Sequence, residues 1–400
     1  MERRTLLKSL AAIGVFPYAA SADEQSARIV GGQRLDLGLD SSARTLVLLE
    51  LKGGNDALNT VVPFADVNYR RKRPKLALER DSVLALDERL GLHSALAPLM
   101  RIWDNGDLAV VNGLGYPSPN RSHFRSNDIW ETGSGAEEVR ADGWLAPVLA
   151  NLRSIGDGPK AVVLDMDAGP VTGDPTDIVV MDDLSQFIEQ AKMLSPAHAT
   201  STNPAYAYIQ DVESSARLAA LSFEKKLSRA KNGEARLELA GRTELENKLT
   251  LVAAMINADL GPRVYKVTLK GFDTHIAQAR KHERLLAELA AGISTLEQLL
   301  RVSGRWRDTL LMTYSEFGRR LAENASGGTD HGTAASHFVV GGRVSGGLHG
   351  ESPRFDNVTD GDLEFTVDFR SMYRTAVRDW FELDLADASF SNFDSLGLLR

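Results

Sequence analysis

Two segments of the chain combine aspartate with histidine at spacings that suit a metal ion. Asp273 and His275 are two residues apart, and Asp330 directly precedes His331 between two glycines. Carboxylate oxygen and imidazole nitrogen together suit zinc, manganese or iron. We therefore predict metal ligands at all four positions. A histidine that merely neighbours a helix cap is the alternative for His275, and His337 is equally well explained by packing at the start of a strand.

Two further acids follow apolar runs and extend the predicted metal site. Asp56 follows Gly53-Gly54, and glycines let the backbone turn sharply and approach a ligand. Glu316 follows shortly after the apolar run that ends at Thr313. A plain turn is the alternative explanation for the segment of Asp56. We predict that both acids, together with Asp330, hold a second ion or orient the ligands of the first.

Ser122 and His123 are the candidates for direct participation in catalysis. They follow Asn120-Arg121 and lead into a predicted helix. A serine at the start of a helix lies near unpaired N–H groups and the positive end of the helix dipole, which stabilise an alkoxide or a bound phosphate. The alternative is a helix-capping serine beside a histidine that is hydrogen-bonded locally.

Apolar runs of strand length must position these residues. Nearly continuous runs suit strands that are covered on both faces, as in a parallel sheet. Loops at the carboxyl ends of parallel strands meet at one edge, where α/β proteins bind ligands. The candidate residues follow such runs, so we predict an α/β fold with its site at that edge. The runs are Thr45–Leu51, Leu108–Val111, Ala161–Leu164, Val264–Leu269, Thr309–Thr313 and Phe338–Val340.

Helical periodicity predicts the layers that cover the sheet. Leu92 to Trp103 has apolar residues at helical spacing, and Ala277 to Leu300 carries one apolar stripe. Residues 184–256 are mostly helical in pattern and rich in Ala, Glu, Lys and Arg. This composition favours a helical insertion packed on the sheet over a separate domain. We predict a single α/β domain over residues 44–400.

The first 22 residues have the pattern of a twin-arginine export signal. Arg3-Arg4 precedes Leu-Leu-Lys, a short apolar stretch follows, and Ala20-Ser21-Ala22 is typical of a cleavage site. A buried first helix is the alternative. We predict that the twin-arginine export machinery delivers the folded chain to the periplasm or outside the cell. Residues 23–43 are polar and dotted with glycine, which predicts an N-terminal tether.

Composition restricts the partners of the exported chain. The full chain has a net charge of −8, and residues 1–22 contain three basic residues and one acidic residue, so the remainder is more acidic still. This charge disfavours nucleic acid and anionic membrane as main partners. There is no cysteine, so stability depends on an ordinary core. No later run approaches the roughly 18 apolar residues of a membrane span, and we predict none in the mature protein.

These motifs together resemble the family called domain of unknown function 1501, over nearly the whole mature length. That family in turn is similar to the alkaline phosphatase and sulfatase superfamily. The resemblance implies a three-layer α/β sandwich with a mainly parallel sheet and two metal ions at the strand ends. The matching segments are Gly53-Gly54-Asn55-Asp56, Leu58–Pro63, Asn120–Phe124, Phe272-Asp273-Thr274-His275, Ser315–Arg319 and Thr329-Asp330-His331-Gly332.

The resemblance also implies roles for single residues. Ser122 corresponds to the nucleophile, and Asp273, His275 and His331 correspond to ligands of the first metal. Asp56 stands for the early metal-binding aspartate of the superfamily, although it lies four positions beyond Lys52. Glu316-Phe317 falls where the superfamily has Asp-His, and phenylalanine cannot bind a metal. The resemblance therefore supports one metal site and leaves the second incomplete.

Three functions are compatible with the sequence. The leading hypothesis is an exported hydrolase of small phosphate or sulfate esters that uses one or two divalent ions, zinc or manganese, with Ser122 as nucleophile. The alternative is a non-catalytic binding or assembly protein that keeps the fold, suggested by Phe317 and Lys52. A third possibility is a carbohydrate-binding surface built from loop aromatics. Those aromatics are Tyr116, Trp130 and Trp144.

Overall fold

The computed structural model describes residues 44–153, 158–194, 202–230, 243–356 and 358–400. The predicted export signal (1–22) and polar tether (23–43) lie outside the described residues. Parts of the predicted helical insertion, residues 195–201 and 231–242, also lie outside them.

Sixteen strands are formed by the described residues, and nine of them make one central sheet. In chain order the strands are β1 (Thr45–Lys52), β2 (Val61–Val62), β3 (Val83–Ala85), β4 (Gly91–His93), β5 (Leu108–Gly115), β6 (Ala161–Leu164), β7 (Ile178–Val180), β8 (Val264–Lys270), β9 (Thr309–Tyr314), β10 (Arg319–Glu323), β11 (Thr329–His331), β12 (Ala335–Gly341), β13 (Gly347–His349), β14 (Val358–Thr359), β15 (Asp362–Leu363) and β16 (Val367–Asp368).

The central sheet is mainly parallel. Its order is β13-β5-β12-β9-β1-β8-β6-β7, and β16 also pairs with β5. Within the described part of this sheet, β12 alone runs antiparallel to its neighbours, β5 and β9. All six predicted apolar runs are strands of this sheet. The predicted α/β class with a mainly parallel sheet is therefore confirmed.

Helices surround the sheet. The α-helices are α1 (Ala57–Thr60), α2 (Val67–Lys72), α3 (Met100–Asp104), α4 (His123–Thr132), α5 (Ala146–Asn151), α6 (Leu184–Lys192), α7 (Pro204–Ala230), α8 (Glu244–Asn257), α9 (Gln278–Val302) and α10 (Arg370–Arg374), which continues as a π-helix over Thr375–Trp380. Short 3-10 helices are Arg80–Ser82, Ser94–Leu99, Gly169–Val171, Pro175–Asp177 and Trp306–Asp308. Within the described residues, no helix has both the length and the apolar character needed to cross a membrane.

Alternate side chains of each strand enter two separate cores, one on each face of the sheet. In β1, Val47 and Leu49 belong to one core and Leu46 and Leu48 to the other. Both faces are apolar, so both must be covered by helices to remove their side chains from solvent. Helices α6 to α9 contribute buried side chains to the first core. Helices α4, α5 and α10 contribute to the second, which completes the expected three layers.

One predicted helix begins differently from the expectation. Leu92 and His93 belong to β4, which pairs with β2 and β3. Ser94–Leu99 is a 3-10 helix that contains Pro98, and only the residues after it are α-helical. The first two residues, Leu92 and His93, are hydrogen-bonded in a strand and so cannot begin the helix. Pro98 has no N–H to donate, which disfavours a regular α-helix there. The predicted helix from Ala277 to Leu300 is confirmed as α9.

The aromatic residues of the carbohydrate hypothesis are buried. Tyr116, Trp130 and Trp144 are at most 3% exposed. Trp144 stacks on Tyr373 with ring centroids 4.1 Å apart, and Trp130 stacks on Phe369 at 4.3 Å. These rings fill the second core, so they do not offer a surface on which a sugar could stack.

Candidate metal centre

Three neighbouring strands bring predicted residues to one edge of the sheet. β1 lies between β8 and β9 and is parallel to both, so their carboxyl ends share an edge. Asp56 follows β1, Asp273 follows β8 and Glu316 follows β9. His123 is the first residue of α4, which follows β5. The layout predicted from the apolar runs accounts for this convergence.

Asp330 and His331 lie in a strand, whereas the sequence predicted a loop. They form the end of β11, which pairs antiparallel with β10, with Arg319 opposite His331. A strand of three residues is too short to show an alternating pattern, which is why the sequence did not reveal it. The β10–β11 hairpin carries His331 back to the edge where Asp273 lies.

Asp273 is surrounded by three imidazole rings. Its Oδ1 is 3.0 Å from Nε2 of His275 and 3.2 Å from Nε2 of His331. Its Oδ2 is 3.5 Å from Nε2 of His123. The Nε2 atoms of His275 and His331 are 2.9 Å apart. We call these four residues the histidine cluster.

Each imidazole of the histidine cluster is fixed by an oxygen that accepts its Nδ1–H. Glu316 Oε1 is 2.8 Å from Nδ1 of His123, and Asp330 Oδ1 is 3.2 Å from Nδ1 of His275. The main-chain carbonyl of Arg121 is 2.7 Å from Nδ1 of His331 and can only accept. A neutral imidazole with its proton on Nδ1 has a lone pair on Nε2. In that tautomer the three Nε2 atoms beside Asp273 have lone pairs with which to bind a cation.

The donors of the histidine cluster fit a divalent transition metal. Tetrahedral zinc with bonds of about 2.0–2.1 Å separates its ligand atoms by roughly 3.3 Å. The two Nε2 atoms of His275 and His331 are 2.9 Å apart and lie 3.0 and 3.2 Å from Oδ1 of Asp273, near that value, while Nε2 of His123 lies 3.5 Å from the other oxygen, Oδ2. Among the described residues, His123, Asp273 and His331 also form a group whose ligand atoms lie within 4.8 Å of one another. Nδ1 atoms held by carboxylate or carbonyl oxygens are typical of metal-binding histidines.

Arg319 holds the carboxylate of Asp273 in place. Its buried guanidinium donates to Oδ1 of Asp273 at 2.7 Å and to the carbonyl of Phe272 at 3.0 Å. It also donates to the carbonyls of Gly53 and Gly54 after β1. Burial alone would raise the pKa of Asp273, but the hydrogen bond and charge of Arg319 and the nearby imidazole of His331 lower it to about 2. Asp273 is therefore ionised at neutral pH. The sequence motif contained Arg319 but gave no sign of this role.

Glu316 is also fixed by the turn after β1. The N–H of Gly53 donates to both of its carboxylate oxygens, at 2.9 and 3.1 Å. Burial tends to raise the pKa of Glu316, but the hydrogen bonds from His123 and Gly53 outweigh it and lower the pKa. The same hydrogen bond raises the pKa of His123, whereas burial lowers that of His331. Glu316 thus orients His123, and neither of its oxygens reaches the centre of the histidine cluster.

Phe317 forms an apolar wall on one side of the histidine cluster. Its ring centroid is 4.4 Å from that of His331 and 5.0 Å from that of His123. Gly54 packs against this ring, and a Cβ there would lie 2.3 Å from it. Only glycine fits at this close approach. Phe317 thus occupies the side on which the superfamily pattern predicts a further ligand.

Ser122 lies between two residues of the site. The carbonyl of Arg121 accepts from His331, and His123 contacts Asp273. Ser122 is exposed and occupies the N-cap position of α4, but its hydroxyl makes no hydrogen bond within the described part of the chain. The sequence predicted His123 as a catalytic residue, and its Nε2 atom faces Asp273 among the possible metal ligands.

Asp56 lies apart from the histidine cluster. Its side chain is fully buried, and Oδ2 accepts from Arg73 at 2.6 Å and from Gln278. Burial would raise the pKa of Asp56, but the charge and hydrogen bond of Arg73 hold it below its usual value. The structure therefore does not bring the predicted ligand Asp56 together with the three histidines. Lys52 is also engaged elsewhere, in ion pairs with Glu50 and Asp167.

Comparison with known proteins identifies a family. The family model described as "Protein of unknown function (DUF1501)" matches residues 108–381, more than half of the chain. This match confirms the family resemblance over those residues, and the motifs Gly53–Asp56 and Leu58–Pro63 lie outside it. A search of curated proteins gave no match.

Several solved structures are distantly similar to the chain. The lipoteichoic acid synthase LtaP from Listeria monocytogenes is 9% identical, with a TM-score of 0.33 over 75% of this chain and 65% of that one, just under two thirds of its length. The phosphonate monoester hydrolase SpPMH from Silicibacter pomeroyi is 11% identical, with a TM-score of 0.38 over 88% and 76%. The sulfatase PsFucS1 from Pseudoalteromonas sp. is 10% identical, with a TM-score of 0.36 over 89% and 73%.

Proposed function

The chain belongs to the DUF1501 family, whose description assigns no activity, and we propose from its site that it is a metal-dependent hydrolase of phosphate or sulfate esters. One observation carries this proposal: three histidine Nε2 atoms converge on the ionised carboxylate of Asp273, each from a ring whose Nδ1 is held by an oxygen. A structural role alone does not require three Nε2 atoms to converge on one carboxylate.

His123, His275, His331 and Asp273 are the residues that would hold the ion. Imidazole nitrogens with one carboxylate suit zinc or manganese. A divalent ion supplies Lewis acidity at such a site, offsetting charge on a transferred phosphoryl or sulfuryl group and lowering the pKa of a hydroxyl. Arg319 and Asp330 keep Asp273 and His275 in their orientations.

Ser122 is the proposed nucleophile. Its oxygen forms a bond to the phosphorus or sulfur of the ester as the bond to the alcohol breaks, and the alcohol leaves with a proton. Water then hydrolyses the serine ester and restores the hydroxyl. Two features support this role: the exposed hydroxyl has no protein partner within the described residues, and the N-terminus of α4 favours negative charge there. The neighbouring Arg121 guanidinium is about one third exposed and can contact an anionic substrate.

Elemental analysis is the first test. We expect about one equivalent of zinc or manganese in the purified protein. The double variant His275→Ala, His331→Ala should lose it. A metal-free wild type after growth in metal-rich medium would contradict the proposal.

Turnover of aryl phosphate and sulfate esters is the second test. Ser122→Ala should abolish turnover and keep the metal, whereas Ser303→Ala, a remote helix-end serine, should change neither. Unchanged turnover in Ser122→Ala would remove the serine from the mechanism.

A non-catalytic metal-binding protein is the second candidate. Phe317 favours it, because an aromatic ring packs against His331 and His123 where a second ion would need a ligand. Tight metal binding without hydrolysis across a broad panel of esters would support this candidate over the hydrolase.

Export through the twin-arginine pathway is proposed from Arg3-Arg4, the apolar stretch after them and the cleavage pattern Ala20-Ser21-Ala22. Expression in a bacterium with this pathway should place the protein in the periplasm. Replacing both arginines by lysine should retain it in the cytoplasm. Periplasmic delivery of the lysine variant would contradict the proposal.

A further inference from the structure

A buried amide connects the two segments that carry metal ligands. Gln278, the first residue of α9, is fully buried. Its Oε1 accepts hydrogen bonds from the hydroxyls of Thr274, at 3.1 Å, and Thr329, at 2.6 Å. Thr274 lies between Asp273 and His275, and Thr329 precedes Asp330. One side-chain oxygen thus ties together two segments that are distant in sequence.

The other end of the amide fixes its orientation. Nε2 of Gln278 donates to Oδ2 of the buried Asp56. An ionised carboxylate can only accept, so the amide nitrogen must face Asp56 and the oxygen must face the two threonines. Arg73 holds Asp56 in turn at 2.6 Å. The amide is therefore anchored at a point outside the histidine cluster.

The backbone before Gln278 is strained. Ala277 has φ 47° and ψ 47°, a left-handed conformation that a residue with a Cβ rarely adopts. The N–H groups of Ala277 and Gln278 donate to the carbonyls of Ser326 and Gly327, in the turn that leads to β11. These bonds hold the chain in a conformation that directs the Gln278 side chain between the two segments.

We propose that Gln278 is a positioning residue for the metal centre, which sets the separation of Asp273 and His275 from His331. It contacts none of the proposed ligands and acts through the two threonine hydroxyls. Loss of the amide leaves two buried hydroxyls and one carboxylate short of a partner, so the two segments move apart or rotate. The role rests on the proposed metal site, whose ligand atoms must lie within a few tenths of an ångström of their bonding positions.

Zinc affinity tests the role. Gln278→Leu keeps the size and removes all three hydrogen bonds, while Thr274→Val with Thr329→Val removes only the two hydroxyls. We expect each variant to weaken the zinc Kd, measured by competition with a fluorescent chelator, about 10–100-fold. Both variants break the same hydrogen bonds between Gln278 and the threonines. The zinc Kd of the triple variant should therefore be within about threefold of that of the weaker-binding variant. The threonine variant keeps the test decisive if Gln278→Leu does not fold.

A stability control separates positioning from simple loss of folding. Leu286→Ala removes a buried side chain from the same helix and should lower the Tm without moving the zinc Kd. Cobalt loaded in place of zinc should show shifted visible absorption bands in Gln278→Leu but not in Leu286→Ala. The role of Gln278 would be overturned if Gln278→Leu left the zinc Kd unchanged, or if the fold-losses of affinity in the two variants multiplied in the triple variant. Either result would leave the proposed function standing. A wild type that binds no zinc would overturn the proposed function and this role together.

Discussion

Asp273 and Asp56 are two aspartates at the same edge of the sheet with opposite surroundings. Both follow central strands, and each accepts a hydrogen bond from a buried arginine. Asp273 is about half exposed and faces three imidazole nitrogens. Asp56 is fully buried and faces an arginine and an amide N–H. Apart from its arginine, Asp273 is faced by imidazole nitrogens that can bind a cation, whereas Asp56 is faced by an N–H that cannot.

This difference separates a ligand from a structural anion. A cation can join Asp273 because neighbouring nitrogens share in binding it. Each carboxylate is already paired with one buried arginine, but the remaining neighbour of Asp56 is an amide N–H, which cannot bind a cation. Residue type and distance from a strand end are therefore insufficient to identify a metal ligand. The atoms that face the carboxylate decide its role.

The largest effect is expected from Asp273→Asn. A bound zinc ion contributes roughly 10–16 kcal/mol, so each of four ligands accounts for about 2.5–4 kcal/mol. Metal affinity should fall by about 70-fold or more, while the variant stays folded. Chelator competition measures the affinity, and circular dichroism checks the fold. If Asp273→Asn kept the wild-type metal affinity, Asp273 would not be a ligand, and the proposed difference between it and Asp56 would be wrong.

Asp56→Asn should show the reverse pattern, with its main effect on stability. Removing the charge leaves the guanidinium of Arg73 buried without its anion, which costs about 3 kcal/mol or more. Urea unfolding of the metal-free protein measures this free energy. If Asp56→Asn is as stable as wild type but loses metal, Asp56 is a ligand after all.

Acid unfolding tests the same ion pair by its pH dependence. The folded-state pKa of Asp56 lies below its unfolded value of 3.8 because Arg73 outweighs the effect of burial. Its stabilisation is therefore complete above pH 3.8 and is lost as the pH falls through the folded-state pKa. The unfolding free energy of metal-free Asp56→Asn should depend less steeply on pH in that window. Equal slopes for the two proteins would argue against the ion pair.

Asp330→Asn should have a smaller effect on the metal. The carboxylate accepts Nδ1–H of His275 and does not face the centre of the histidine cluster. Loss of such an outer contact weakens metal binding about tenfold. Isothermal titration with zinc measures it, and Asn324→Ala, which removes a second bond to Asp330, is the matched comparison. A loss as large as that of Asp273→Asn would make Asp330 a direct ligand.

The smallest effect is expected from Ala277→Gly. Ala277 lies between Asp273 and Gln278, the residue whose amide contacts Asp56. Glycine relieves a left-handed strain of about 1–2 kcal/mol, and its greater freedom in the unfolded chain offsets part of this. Stability should rise by at most about 1 kcal/mol, without change in metal affinity. A fall in unfolding free energy would show that Ala277 is not strained.

The sheet was predictable from the sequence because its strands are buried on both faces. Each of the six apolar runs is a strand, and burial requires such runs to be nearly continuous. The placement of Asp273 and Glu316 at one edge followed from the rule that parallel strands end together, whereas the β10–β11 hairpin that returns His331 to this edge was not predicted. Their identities as ligands remain predictions.

The partners of those residues could not be predicted. Gln278 begins a helix recognised by its apolar stripe, and nothing local marks a buried amide that bonds to Asp56 and Thr329. Arg319 likewise acts on Gly53 and Asp273, which are distant in sequence. The contact between Asp330 and Nδ1 of His275 likewise decides that Nε2 of His275 faces Asp273. These contacts form only in the folded chain, and a single sequence does not encode them as a pattern.

The central position of β1 has a consequence for how the chain folds. β1 is the first described strand, yet both of its neighbours, β8 and β9, come from the second half of the chain. During synthesis β1 emerges with two unpaired edges and remains without its partners until residue 314 has left the ribosome. Loop closure over such a separation is slow, and an unpaired apolar strand is prone to aggregation. We expect the growing chain to depend on a chaperone until the final third has been made.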